Sequence, residues 1–273
     1  MKKKALKILA FVIAISLIVG VICLANSLNG NPISRMLAKK AAEAYLKEHF
    51  PNTDYYIENL GFSFKFTGYY AHVLSDTSMD TQFTLHIDML GNVFFDTYES
   101  VLCGAVTARR LEQEYRALTD QIFENPAFAY PTHIAYGTLE IHPQEAIDDP
   151  QVTDIPEFAL IQQDLIPDQL YDIRELGRQA GHLILYVDSD TISYELAAEI
   201  LLDIRREFDK ANIPFRSMDF VLQYPLPEEG PRPNGDIRIE NFPYEDIRED
   251  GLVERITEAH AALEAYYAQQ DGK

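Results

Sequence analysis

The chain has 273 residues, of which 43 are acidic and 23 are basic, and its formal net charge is −20. This charge excludes nucleic acid as a partner, because phosphates would be repelled. The length allows two modest domains after a short N-terminal segment. With only two cysteines, the chain cannot be a scaffold held together by several disulfides.

The first segment, residues 1–30, has the charge order of a signal-anchor. Four lysines within the first seven residues precede an uncharged apolar run from Ile8 to Ala25. About eighteen residues at roughly 1.5 Å each approach a hydrocarbon core of about 30 Å, and the positive-inside rule keeps the lysines cytoplasmic. We therefore expect a single-pass cell-membrane protein, held through residues 8–25, with an extracytoplasmic body.

Two processed forms of this segment remain open. The small-residue site Cys23-Leu24-Ala25 would allow cleavage and release the body as a secreted protein. Alternatively, Cys23 would be an acylated lipoprotein cysteine, although the branched Ile22 stands where a small residue is expected.

Residues 31–128 are predicted to form a helix followed by an antiparallel meander. Asn31 caps a helix that Pro32 opens, and the helix ends where Phe50 meets Pro51. Alternating apolar and polar residues, with a turn at Gly91, predict the strands of the meander. These strands cover 62–67, 69–75, 82–88 and 93–98, and a second helix follows with Leu111, Tyr115, Leu118 and Ile122 on one side.

Residues 129–273 are predicted to form the second domain, because Pro126 and Pro131 interrupt both periodicities near residue 128. The expected order is β-α-β-α-β-β-α, with helices on one face of a mixed four-stranded sheet. The predicted strands are 132–142, 182–188, 215–224 and 236–242, and the predicted helices are 168–180, 193–211 and 244–268. The predicted fold class is therefore α+β: an N-terminal transmembrane helix followed by two small α+β domains.

An acidic loop is the least ordinary local feature. No lysine or arginine occurs between Ala117 and Ile173, and the proline-punctuated stretch 143–167 concentrates the acids. Its candidate contact residues for a basic protein or peptide, or for weakly held Ca²⁺, are Asp148, Asp149, Asp154 and Glu157. A solvated loop with no ligand explains the same composition.

Two further pairs of side chains are candidates for ion or partner contact. His86 and Asp88 would share the polar face of one strand, and Asp188 and Asp190 lie where a strand ends before a helix. Helix capping explains the second pair without a ligand. No phosphate loop, zinc-binding histidine pair or nucleophile motif is present, so no cofactor or catalytic residue is predicted.

Tyrosines near the first predicted sheet are candidates for a partner-binding surface. Tyrosine is also common in strands for reasons of packing alone, so both explanations stay open. The residues concerned are Tyr55, Tyr56, Tyr69, Tyr70 and Tyr98.

Three segments, 31–42, 80–88 and 107–111, resemble the YfjL-like proteins, a family of membrane-anchored proteins of Gram-positive bacteria. The resemblance covers both predicted domains. It implies an envelope location and a cystatin-like or PepSY-like first domain. It implies no activity, and it assigns no functional residue.

These observations favour a module of the cell envelope that binds a protein or peptide and has no catalytic activity. A metal-dependent or hydrolase-like envelope enzyme is the first alternative, with a site near His86 or Asp188. A peptidase inhibitor or modulator is the second alternative, and it rests on fold analogy alone.

Overall fold

The computed structural model describes residues 2–153 and 155–271, so the predicted contact residue Asp154 lies outside the described residues. The chain divides into two compact units, of which the first ends at Val106 and the second begins at Thr107. The segment 124–131, which surrounds the domain boundary predicted near residue 128, lies within the second unit.

The first unit contains a four-stranded sheet in the order β1-β2-β3-β4, and every neighbouring pair is antiparallel. The predicted meander is therefore confirmed. Its helices are α1 (Lys2–Asn29), α2 (Pro32–His49) and α3 (Glu99–Leu102), and its strands are β1 (Tyr56–Ser63), β2 (Gly68–Leu74), β3 (Gln82–Asp88) and β4 (Val93–Asp96).

The N-terminal helix α1 corrects the predicted fold class. Within the part of the chain that the structure describes, no helix is both long enough and apolar enough to cross a membrane. The side chains of residues 8–10, 22, 23 and 25 lie outside the described ones. The prediction of a transmembrane helix is therefore wrong on this finding.

The helix α2 covers one face of the first sheet. The Asn31 side chain accepts hydrogen bonds from the backbone amides of Ile33 and Ser34, which confirms the predicted cap. Small side chains at Ala38 and Ala42 are fully buried and let the helix approach the sheet closely. The core beneath them includes Ala71, Val73, Phe83, Leu85 and Ile87.

The first strand begins earlier than the sequence predicts. Ser63 ends β1, and the next four residues form the turn to β2, in which Thr67 adopts a left-handed backbone with φ of 49°. Phe64 and Phe66 are 61% and 72% exposed there. The alternation of phenylalanines predicts a strand over 62–67. That prediction is wrong, because the same spacing occurs here in a turn.

The second unit contains a four-stranded sheet in the order β10-β9-β8-β5. Strands β8 and β9 are parallel and the other two pairs are antiparallel, so the predicted mixed sheet is confirmed. The helix α4 (Ala105–Phe123) begins two residues before this unit. The other helices are α5 (Gln144–Ile147), α6 (Ile173–Ala180), α7 (Tyr194–Ala211) and α8 (Leu252–Asp271). Its strands are β5 (Thr132–Leu139), β6 (Ile141–His142), β7 (Leu160–Ile161), β8 (Gly181–Asp188), β9 (Ser217–Gln223) and β10 (Ile237–Pro243).

The helix α7 is the centre of the second core. Ser193 caps it, and Asn212 ends it in a left-handed conformation. Its buried side chains pack against alternate residues of β8 and β9. The predicted helices 168–180 and 244–268 instead begin at Ile173 and Leu252, because Asp172 caps the first and a short 3₁₀ turn precedes the second.

Candidate functional site

A groove of about 1110 Å³ runs between α2 and β1 in the first unit. One wall is the exposed side of the helix, and the other is the strand at the edge of the sheet. Leu46 and Phe50 lie at its apolar base. The other lining residues are Pro32, Arg35, Met36, Lys39, Glu43, Lys47, Pro51, Asn52, Thr53, Tyr55, Tyr56, Ile57, Glu58 and Leu60.

The helix wall carries a stripe of charged side chains, Arg35, Lys39, Glu43 and Lys47, spaced every four residues. This spacing places all four on one side of a helix. The Nζ atom of Lys39 lies 3.9 Å from Oε1 of Glu43, and both side chains are more than half exposed. An exposed pair of this kind contributes little stability, so the stripe stays accessible to a ligand.

The strand wall is an edge of the sheet. In the described sheet order, β1 has β2 as its neighbour and its other side faces the groove. The Leu60 carbonyl oxygen accepts a hydrogen bond from Nη2 of Arg35 at 3.3 Å, so a backbone acceptor of β1 is within reach of donors in the groove. The register shifts between Ile57 and Asn59, and such irregularities are common at sheet edges.

The opposite face of the first sheet carries His86 among aromatic rings. Phe66, Phe94 and Phe95 have ring centroids 5.6 to 6.4 Å from the imidazole. Asp88 shares this face by its register, but its carboxylate accepts hydrogen bonds from Leu90 and Asn92 in the following turn. The hydrogen bond from the backbone amide of Asn92 is the largest cause that lowers the pKa of Asp88. The contacts that the structure describes for Asp88 therefore stabilise the turn after β3.

The acidic loop of the second unit is largely open to solvent. Asp148, Asp149 and Glu157 are exposed, and Asp149 accepts a hydrogen bond from the amide of Gln151. Among the described residues, no group of three or more histidine, cysteine or acidic side chains is placed to hold a metal ion. The loop is fastened at its base, where β6 and β7 pair in parallel.

Asp188 lies at the end of β8 as the sequence predicts, but the structure gives it partners within the chain. Its Oδ1 atom accepts hydrogen bonds from Gln223 at 3.1 Å and from Arg232 at 3.2 Å. Asp190 is exposed, and the cap of α7 is Ser193. The two carboxylates therefore have different surroundings.

The candidate tyrosines divide between core and surface. Tyr55 and Tyr98 pack with Phe50 and Phe83, and the phenol of Tyr69 is buried against the start of α2. The hydrogen bond with Tyr55 is the largest cause that raises the pKa of Tyr98 to about 12. Tyr56 lines the groove.

A polar network that the sequence analysis missed lies across the second sheet. The buried His182 ring joins Ser217 through Nδ1 at 2.9 Å and Asp219 through Nε2 at 3.1 Å. Glu140 lies 3.5 Å from the same Nδ1 and 2.7 Å from Nε2 of His142. Although serine, histidine and aspartate meet here, Ser217 is only 1% exposed, so its hydroxyl is closed to a substrate.

Burial around this network affects one further carboxyl group. Desolvation is the largest cause that raises the pKa of Glu112 on α4, and the nearby charge of His142 acts in the opposite direction. The network and the half-buried Glu112 therefore form a partly buried polar layer of the second unit.

The sequence does not predict this groove, because the first strand is expected to begin only at residue 62 and no strand is then placed opposite the charged side of α2. A strand signal at Ile57 and Leu60 would have placed the edge opposite the stripe.

The fold and the groove define a two-unit α+β protein whose first sheet presents an open edge beside a helix. Residues 4–96 match the family model described as "YfjL-like, N-terminal domain", and residues 114–257 match the "YfjL-like C-terminal domain". The chain therefore belongs to the YfjL-like family. Neither a curated protein nor a solved structure matches it significantly.

Proposed function

We propose that this chain binds an extended peptide segment of a partner protein, which adds as a further strand to β1 within the groove. The observation that carries the proposal is an edge strand facing a helix across about 1110 Å³ of open space. Peptides commonly bind at such edges, because backbone hydrogen bonds supply affinity whereas neighbouring pockets select side chains.

The dimensions of the groove support this mode of binding. Strand addition needs about 4.8 Å between strands, and the groove beside β1 has a volume of about 1110 Å³ and exposed apolar surface at Met36. The Leu60 carbonyl, which now accepts from Arg35, offers an acceptor to an incoming backbone amide. Binding is therefore expected to exchange one hydrogen bond for another.

The test uses the full-length chain and an uncharged nonapeptide of alternating threonine and valine. We expect saturable shifts of the amide resonances of β1 in nuclear magnetic resonance spectra. The same peptide with an N-methyl group on every amide should cause none, because neither of its edges then has the donors that a strand needs.

A matched pair of variants locates the binding. Met36→Trp should block the groove, whereas Ile33→Trp lies on the same helix outside the groove, and both positions are more than half exposed. Equal shifts from the two peptides, or equal binding by the two variants, would overturn the proposal. The envelope location and Gram-positive origin, which the family resemblance implies, and a basic partner of the acidic loop, which its charge favours, are separate proposals.

A further inference from the structure

We infer that the segment held in this groove is acidic, with carboxylates at two alternate positions, a basic or neutral side chain two residues further on, and a third carboxylate two residues beyond that. This inference rests on the proposed function and names the chemistry of its ligand. It is carried by the charge and spacing of the stripe on α2.

The groove has an excess of positive charge, whereas the molecule as a whole is negatively charged. The chain as a whole has a net charge of −20, but the groove is lined by Arg35, Lys39 and Lys47 against only Glu43 and Glu58. In an acidic protein, a local excess of cations facing an edge strand is an attractive site for isolated carboxylates. Long polyanions such as nucleic acids would still be repelled by the rest of the surface.

The spacing of the stripe matches that of a strand. Four residues of helix rise about 6 Å, and two residues of strand advance about 6.6 Å, so each step along the stripe meets the next alternate side chain of an aligned peptide. The mismatch grows to about 2 Å over three steps, which the flexible lysine stems can take up. The order Arg35, Lys39, Glu43, Lys47 is therefore matched by acidic, acidic, basic, acidic.

The cationic side chains of the stripe can bind such a ligand with little loss of stability. Lys39 and Glu43 are 65% and 56% exposed and 3.9 Å apart, a geometry that contributes little. Arg35 donates to the backbone carbonyl of Leu60, and the same guanidinium has further donors for a carboxylate.

The experiment measures the affinity of the full-length chain for labelled nonapeptides by fluorescence anisotropy. The acidic probes are Thr-Glu-Thr-Glu-Thr-Lys-Thr-Glu-Thr and the same pattern in reverse, since a strand can add in either direction. The comparison probe exchanges every Glu for Lys and every Lys for Glu. We expect one acidic probe to bind about tenfold or more tightly than the comparison probe.

Charge reversals in the stripe give the second readout. Lys39→Glu and Lys47→Glu should each weaken the acidic probe about fivefold and strengthen the comparison probe. Lys40→Glu is the matched control, because Lys40 is an exposed neighbour on α2 that does not line the groove. It should change either affinity less than about twofold.

The outcomes separate this inference from the proposed function. Equal binding of the acidic and comparison probes, or equal effects at positions 39 and 40, would overturn the charge pattern while strand addition stands. Failure of the charged probes together with the uncharged alternating peptide would overturn the proposed function itself.

Discussion

The two four-stranded sheets of this chain differ in the exposure of their edges and in the position of their polar groups. The first is a simple meander covered on one face by α2, and its edge strand β1 is left beside an open groove. The second is a mixed sheet with a helix crossing between parallel strands, and it holds a polar network around the buried His182. The comparison teaches that the smaller, simpler unit carries the open groove proposed as a binding surface, whereas the polar network of the larger unit is centred on a buried histidine.

The largest expected effect tests whether the two cores are independent. Phe208 is fully buried in the second unit between the rings of Phe123 and Phe215, so Phe208→Ala should destabilise that unit by about 3–5 kcal/mol. Leu85→Ala, in the buried core of the first unit, should cost that unit about 2–5 kcal/mol. Calorimetry should show each variant lowering a different transition. A single transition lowered by both would break the comparison.

The start of α2 gives the next largest effect. The phenol of Tyr69 donates to the Asn31 carbonyl, accepts from the Asn31 amide at 3.1 Å and meets the Ser34 hydroxyl at 2.9 Å. Tyr69→Phe should destabilise the first unit by about 1–3 kcal/mol, because it leaves buried polar groups without this partner. Urea unfolding followed by circular dichroism measures it, with Tyr70→Phe on the opposite face of the sheet as control. Similar losses in both variants would contradict the prediction.

Low pH should destabilise the first unit through Asp88, which lies at the turn after β3. Asp88 has a lowered pKa, so its contribution is present above its unfolded value near 4 and is lost as pH falls through the folded value. Asp88→Asn should lower stability at pH 7 by about 1 kcal/mol or less and flatten the acid limb. Asp76→Asn, at an exposed position, is the control. If stability falls with decreasing pH in Asp88→Asn as steeply as in the unchanged protein, Asp88 does not make this contribution.

The smallest effect concerns the polar layer of the second unit and has the opposite sign. Burial raises the pKa of Glu112, so stability falls as pH rises from about 4.5 through its folded value. Glu112→Gln should therefore gain less than about 1 kcal/mol at pH 7 and nothing at pH 3. The exposed Glu124→Gln should be neutral at both. A loss of stability at pH 7 would show that the charged form of Glu112 is favoured in the fold.

Local sequence signals predicted the elements that depend on local physics. The cap at Asn31 corresponds directly to the start of α2, and the predicted helix 193–211 corresponds to α7. The antiparallel meander of the first sheet and the mixed, four-stranded character of the second also followed from periodicity and the order of elements along the chain. The α+β class could therefore be predicted from the chain alone.

Longer-range features could not be predicted in this way. His182 meets Ser217 across 35 residues, through a register between parallel strands that no turn fixes. The groove required β1 to begin at Tyr56, where alternation is weakened by the irregularity before Asn59. The transmembrane prediction used the apolar run alone, and the described helix does not support it.

The two-residue pairing of β6 with β7 has a practical consequence for the second unit. Because Ile141 lies beside Leu160, the chain between them is a closed loop whose ends are fixed by the core. Doubling the length of such a loop costs only about 0.6 kcal/mol in closure entropy. The exposed stretch near Asp149 is therefore a suitable place to insert an epitope or a fluorescent label, which would report on the protein without touching either sheet.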